Sequence, residues 1–193
     1  MKNEKETIPS LFLGERDIGA ISDKLSEILD ILEKDPVRRA ALAASPGKIA
    51  ESWREIFGGI TKDPAAELRN KYRAVSADPV ALRDIAFTSM CEHHFLPFFG
   101  TIDIAYRPRD LIAGFGAIIR LAEVYAKRPQ IQERLTAEIA DKLYEELRPA
   151  GLLVRIRARH LCMTMIGGKK SESAVATEAC RGEYADLRGL LGN

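Results

Sequence analysis

Two short stretches of the sequence hold nearly all the side chains able to bind a metal ion or move a proton near neutral pH. The stretch TSMCEHHFLPFFG contains Cys91, His93 and His94. The stretch RIRARHLCMTM contains His160 and Cys162. Together they include all 3 histidines and two of the 3 cysteines, so we expect the chemistry of the protein to be concentrated there.

The residue types and their spacing favour a catalytic zinc. Such a zinc takes three cysteine, histidine or carboxylate ligands and leaves a fourth position open. The i, i+3 spacing of Cys91 and His94 brings both side chains to one side of a turn or short helix. Alternation along GLLVRIRARHLCMTM predicts a strand on which His160 and Cys162 share a face. If Cys91, His94 and Cys162 bind the metal, His93 and His160 remain beside it as proton carriers.

Other interpretations of the same residues stay open. A Cys-x-x-His pair can arise by chance, a buried cysteine is often only a small apolar side chain, and His160 could be a histidine of the core. A structural zinc normally has four protein ligands, and Cys180 could supply the fourth. Its surroundings, ATEACRG, offer no second cysteine or histidine. We therefore expect Cys180 to be an ordinary buried or half-buried thiol.

Composition limits the class of protein and its partners. The chain has 193 residues, 46% of them hydrophobic and 30% charged, with a net charge of +1. These values are typical of a globular protein and give no reason to expect nucleic acid or a membrane surface as partner. No signal peptide or membrane span is expected, and an odd number of cysteines argues against a disulfide framework. A cytoplasmic protein is predicted.

The chain is predicted to have three regions. Residues 1–14 are expected to form a flexible arm, residues 15–78 a helical region, and residues 79–193 a catalytic domain. In the helical region, apolar spacing predicts one helix from Asp17 to Lys34. A second helix is predicted with Ser45 as its N-cap.

The catalytic region has the element order β-β-α-α-β. The segments ALRDIAFTSM and GTIDIAYRP are predicted to be strands, IIRLAEVYAKR and QIQERLTAEIADKLYEEL helices, and GLLVRIRARHLCMTM the last strand. The predicted fold class is therefore α+β.

The motifs SMCEHHFLPFFG, RPQIQERLT, IADKL and RHLCMTM closely resemble GTP cyclohydrolase I, a zinc enzyme of pteridine biosynthesis. The likeness extends over about residues 38–182. It implies the tunnelling fold, in which β-β-α-α-β units join their sheets into a barrel across subunits. It also implies a homo-oligomer, in this family usually a homodecamer, with a purine as substrate.

Residue by residue, the resemblance assigns zinc to Cys91, His94 and Cys162. It assigns proton transfer to His93 and His160. The implied reaction is hydrolytic opening of the imidazole ring of a guanine-type purine with release of formate, His160 protonating N7.

The resemblance also assigns the substrate end of the site. Gln132 and Glu133 match the residues that hold the guanine edge, with Ile131 beside them. A carboxylate suits this task because it can accept two N–H bonds from guanine. Glu133 could instead be an ordinary exposed charge of a helix.

The sequence departs from the family where the triphosphate is normally bound. The family has Ser-Lys after the glycine of a G-L-S-K motif, and this chain has Gly116 and Ala117. The family has Arg-Gly after CMTM, and this chain has Ile166 and Gly167. Each charge-assisted phosphate contact contributes about 1.5–3 kcal/mol. We therefore expect a substrate other than GTP, carrying little or no phosphate, or a purine analogue.

Two alternatives remain. The chain could be a true GTP cyclohydrolase I that makes 7,8-dihydroneopterin triphosphate, with Arg120, Lys169 and Lys170 as a substitute phosphate clamp. It could also be a catalytically silent, purine-binding partner subunit. The intact zinc ligands and histidines argue against a silent subunit.

Overall fold

The computed structural model describes residues 13–166 and 173–192. They divide into two compact units, and the boundary along the chain lies between Thr61 and Lys62. Of the predicted flexible arm, residues 1–12 lie outside the described residues. Among the residues described, no helix has the length and apolar character needed to cross a membrane.

The first unit consists of three helices. The first helix starts and ends two residues earlier than predicted, with Glu33 as its C-cap. Asp35 caps the second helix, since its side chain accepts hydrogen bonds from the backbone N–H groups of Val37 and Arg38, both at 2.9 Å. The third helix starts one residue earlier than predicted: Ala44 is its N-cap, and Ser45 is already helical. The helices are α1 (Glu15–Leu32), α2 (Pro36–Ala41) and α3 (Ser45–Ile56).

The second unit is a mixed α+β fold, as predicted. A 3-10 helix at Pro64–Leu68 opens it and another at Ala185–Leu191 closes it. Its strands are β1 (Lys71–Arg73), β2 (Val80–Cys91), β3 (Pro97–Arg107), β4 (Leu111–Ala113), β5 (Pro129–Gln130), β6 (Gly151–His160) and β7 (Val175–Gly182). Its α-helices are α4 (Phe115–Ala126), α5 (Gln132–Leu147) and α6 (Leu161–Met165).

Five strands form the main sheet in the order β5-β2-β3-β6-β7, and β1 pairs with β4 in a separate ribbon. The β2–β3, β3–β6 and β6–β7 pairs are antiparallel, whereas β5 lies parallel to the end of β2. At Gly100 on β3 a side chain is excluded, because a Cβ there would lie 1.9 Å from the carbonyl oxygen of Arg157 on β6. This close approach ties β3 to β6, the two strands whose ends adjoin the predicted metal-binding residues.

The core lies between one face of this sheet and the helices α4 and α5. Strand β6 alternates as predicted: its even-numbered residues from Leu152 to Ala158 are buried, whereas Arg157 and Arg159 are exposed on the other face. Helix α5 buries the predicted stripe of Leu135, Ile139, Leu143 and Leu147. The site is therefore built on elements fixed by a continuous apolar core.

Two sequence predictions about the last strands are wrong. Strand β6 was expected to continue to the end of CMTM, but it ends at His160, and the next five residues form α6. Cys162 therefore does not share a strand face with His160. Strand β7 was not predicted, because VATEACRG lacks a clear apolar alternation and lies at the edge of the sheet.

Candidate metal centre and active site

The first half of the metal centre is a tight turn between β2 and β3. The N–H of Cys91 donates to the carbonyl of Leu96 at 3.0 Å, and the N–H of Phe95 donates to the carbonyl of Cys91 at 2.9 Å. Phe95 closes the turn with φ of 52°, a left-handed conformation that costs a non-glycine residue about 1–2 kcal/mol. The helical i, i+4 bond gives Cys91 and His94 the local geometry that their spacing predicts.

The pairing of β3 with β6 positions the second half of the candidate metal centre. Strands β3 and β6 place Phe98 directly opposite His160. The chain then turns at once into α6, where the N–H of Ile166 bonds the carbonyl of Cys162 at 3.2 Å. This turn brings Cys162 back toward Cys91, although the two lie 71 positions apart in the sequence.

The side chains of Cys91, His94 and Cys162 form one group whose ligand atoms all lie within 4.8 Å of one another. Burial and the neighbouring Cys91 raise the pKa of the Cys162 thiol above its usual value. A bound cation would reverse this, because it stabilises thiolates. Two sulfurs and one imidazole nitrogen match the preference of zinc, and three ligands leave a position for water. The residues present therefore fit a catalytic zinc.

A cleft of about 210 Å³ opens beside this group. His160 lies in its wall, half-buried, with its ring stacked on Phe98 at a centroid distance of 4.7 Å and an interplanar angle of 1°. Burial lowers the pKa of His160, and the charge of Glu133 opposes that shift. The cleft is also lined by the other residues of the two motifs, namely Cys91, His93, His94 and Cys162.

The remaining wall of the cleft is the start of α5. The parallel pairing of β5 with β2 sets Gln130 opposite Cys91, so the next three residues, Ile131, Gln132 and Glu133, reach the cleft. Ile131 is the N-cap, and the exposed carboxylate of Glu133 lies in the first helical turn, where a negative charge is favoured.

Four of the predicted substrate-binding residues do not line this cleft. Gly116, Ala117 and Arg120 lie on α4, and Ile166 follows α6 with half of its surface exposed. The guanidinium of Arg120 is paired with the carboxylate of Glu67 at 2.8 Å. The predicted substitute clamp at Lys169 and Lys170 lies outside the described residues.

A network behind the ligand turn was not predicted from the sequence. Arg134 on α5 donates to the carboxylate of Glu92, the residue after Cys91, and its Nε donates to Gln130 Oε1 at 3.0 Å. The N–H of Glu92 in turn donates to the Gln130 carbonyl at 3.0 Å. Gln130 is buried, and its amide nitrogen is held by Glu138 at 2.7 Å. These bonds fix the Cys91–His94 turn to α5.

Replacing Arg134 with methionine is therefore expected to weaken zinc binding by about 10–100-fold, the usual effect of losing a residue that holds a metal ligand in place. The measurement is the zinc dissociation constant by competition with a chromophoric chelator. Arg181→Met is the matched control. Arg181 lies on β7 and pairs with Asp141, which is on α5 like Arg134 but has no part in this network. Equal zinc affinity in both variants would show that the network does not hold the turn.

Comparison with known proteins gives one consistent result. The family model described as GTP cyclohydrolase I matches residues 21–189. A protein of Streptococcus pyogenes named GTP cyclohydrolase 1 is 44% identical over 163 residues, which cover 84% of each chain. Proteins of the same name from Carboxydothermus hydrogenoformans and Finegoldia magna are 43% and 41% identical. Those alignments cover 82% and 86% of this chain and 82% and 90% of the relatives.

Proposed function

The chain belongs to the GTP cyclohydrolase I family of hydrolases, and from that premise we propose that it opens the imidazole ring of a guanine-type purine and releases formate. The single observation that carries this proposal is the shared cleft. It joins a three-ligand metal group, two further histidines and an exposed carboxylate within about 210 Å³. The catalytic domain is proposed to span residues 79–193.

Each residue has a proposed task. Cys91, His94 and Cys162 hold zinc, which supplies Lewis-acid activation of water near neutral pH. His160 donates a proton to N7 of the purine, which makes C8 more electrophilic, and His93 carries protons to and from the reacting water. Water adds at C8, the ring opens to a formamide, and a second hydrolysis releases formate.

The purine edge is proposed to lie against the start of α5. The Glu133 carboxylate accepts N–H bonds from N1 and the exocyclic amino group of guanine, and Ile131 and Gln132 complete the wall. The carboxylate is exposed, so it can reach a ligand without leaving another partner unpaired. A charge-assisted pair of bonds at this edge distinguishes guanine from adenine, whose N1 is an acceptor.

We propose further that the substrate carries fewer phosphates than GTP. Gly116, Ala117 and Ile166 supply neither a hydroxyl nor a charge where the family has serine, lysine and arginine. Arg120, which does match the family, is already paired with Glu67. The neighbouring Phe115 is 62% exposed, so the start of α4 offers an apolar surface in place of a phosphate-binding one.

GTP itself is the second candidate substrate, with 7,8-dihydroneopterin triphosphate as product. The names of the relatives at 41–44% identity favour it. In this case Arg120 must exchange Glu67 for phosphate, assisted by Lys169 and Lys170.

The protein is proposed to act as a cytoplasmic homo-oligomer, a decamer by family resemblance. Within the described residues, strand β7 has a neighbour on one side only, and β2 is paired with β5 only at Met90 and Cys91. These two open edges suit the joining of sheets between copies into a barrel.

The test is a product assay on zinc-loaded protein with GTP, GMP, guanosine and guanine in parallel. Formate and the pterin chromophore are followed together, with metal-stripped protein as control. Formate mainly from the less phosphorylated substrates is expected. Formate and pterin mainly from GTP would establish the second candidate. Bound zinc without formate from any of the four would overturn ring opening of these guanine compounds and favour the silent partner subunit.

A further inference from the structure

Both polar atoms of the Gln132 side chain are hydrogen-bonded inside the protein. It is 2% exposed, at the first position of α5. Its amide nitrogen lies 3.1 Å from the carbonyl oxygen of Ile156, 3.0 Å from that of Val175 and 3.1 Å from the hydroxyl of Thr177. Its amide oxygen lies 2.8 Å from Nε2 of His160. Gln132 therefore connects His160 to strands β6 and β7.

The orientation of this amide follows from its partners. Backbone carbonyls only accept hydrogen bonds, so the group that faces Ile156 and Val175 must be the NH2 group. If the amide were reversed, its oxygen would face two carbonyl oxygens, one in a buried and one in a part-buried contact, and both would lose this donor. The oxygen of Gln132 must therefore face His160.

A chain of two hydroxyls leads to the same orientation independently. The hydroxyl of Thr136 donates its single proton to the backbone carbonyl of Gln132, at 2.7 Å. In the 2.6 Å contact between Thr136 and Thr177, the donor must then be Thr177. With its proton committed, Thr177 can only accept from Gln132, which again requires the NH2 group at that end.

These directions determine where His160 carries its proton. Because Gln132 Oε1 is an acceptor, Nε2 of His160 is protonated in both the neutral and the charged ring. Stacking on Phe98 at 4.7 Å holds the ring plane. A 180° flip within that plane would put Cε1, and not Nδ1, at the position where Nε2 faces Gln132, so only Nε2 can make this bond. Among the described residues, Nδ1 has no hydrogen-bond partner.

We propose that Gln132 is a positioning residue that fixes His160 as the Nε2–H tautomer and leaves Nδ1 as the nitrogen that exchanges a proton with the substrate. The catalytic part of this inference rests on the proposed function. It narrows the role that family resemblance gives to Gln132: recognition of the guanine edge falls to Glu133, and Gln132 acts through His160.

The direct test is solid-state 15N NMR of the zinc-loaded protein with labelled histidine, which works for assemblies of any size. The chain has only 3 histidines, and a His160→Asn variant assigns the signals. The spectrum is recorded well above the usual histidine pKa of about 6.5, so that the rings are neutral. We expect a protonated Nε2 and a bare Nδ1 for His160. The opposite tautomer in the unmodified protein would overturn the proposal, whether or not any variant folds.

Gln132→Met tests the cause, because methionine has nearly the same length but offers no amide oxygen. We expect the His160 signals to change to a mixture of tautomers, and kcat for formate release to fall by on the order of 10²-fold. KM is expected to change little. A rise in KM with kcat and the tautomer unchanged would identify Gln132 as a substrate contact and overturn the proposal.

Thr177→Val is the matched control, because two carbonyls still orient the amide when the hydroxyl is gone. We expect this variant to keep the Nε2–H tautomer, and loss of the tautomer there would count against the proposal. The NMR result needs no turnover. If no purine tested gives formate, the proposed function is overturned. The tautomer of His160 is still decided by the NMR spectrum alone.

Discussion

Cys162→Ala is expected to abolish stoichiometric zinc binding and to reduce formate release by at least about 10³-fold. Cys162 is the only proposed ligand in the second motif, and the other two proposed ligands cannot complete a three-ligand site without it. The proposed activity depends on the metal because a catalytic zinc lowers the pKa of its bound water to about 7. Zinc per chain by elemental analysis and formate release are measured on the same preparation.

Cys180→Ala is the matched control for this experiment. Cys180 is half-buried on β7 and packs against a small apolar cluster that includes Leu153 and Leu187. Its replacement removes a thiol of similar burial without touching the metal group, so zinc content and activity should stay near those of the unmodified protein. Full zinc occupancy in Cys162→Ala, or loss of zinc in Cys180→Ala, would show that the ligand set is wrong.

Restoring the family residues Ser, Lys and Arg at positions 116, 117 and 166 is expected to shift the preference toward GTP. Two cations that each contribute about 1.5–3 kcal/mol of phosphate binding correspond to about 10²–10⁴-fold in kcat/KM for GTP relative to guanosine. The gain should shrink at high salt, because charge pairs at exposed positions are screened. The ratio of the two kcat/KM values, with and without salt, is the measurement.

The structure leaves room for these changes. A Cβ at Gly116 would lie 3.2 Å from Nη1 of Arg120, the mobile end of a long side chain. Ile166 is 50% exposed, so a longer side chain can extend into solvent. Ile166→Gln provides the uncharged control of similar length. If the triple variant leaves the GTP-to-guanosine ratio unchanged, or if the unmodified protein already prefers GTP, the phosphate-poor substrate is ruled out.

Much of the fold and part of the site could be predicted from the sequence because the signals are local. The i, i+3 spacing of Cys91 and His94 is expressed as a helical turn with a 2.9 Å bond from Phe95 to Cys91. The apolar period of α5 and the alternation on β6 each reflect a single buried face, which residue type alone reveals. Strand β7 was missed because an edge strand with little apolar content carries no such period.

The sequence by itself determined which side chains are available: two cysteines and three histidines in two motifs, and no charge at positions 116, 117 and 166. Only the tertiary structure decided how they meet. Cys162 reaches Cys91 because β6 ends at His160 and α6 turns the chain, not because the two residues follow a strand. The proton on His160 is placed by Gln132, whose orientation depends on carbonyls and hydroxyls from α5, β6 and β7. Such a network has no sequence period, since a hydrogen bond depends on distance and direction in space.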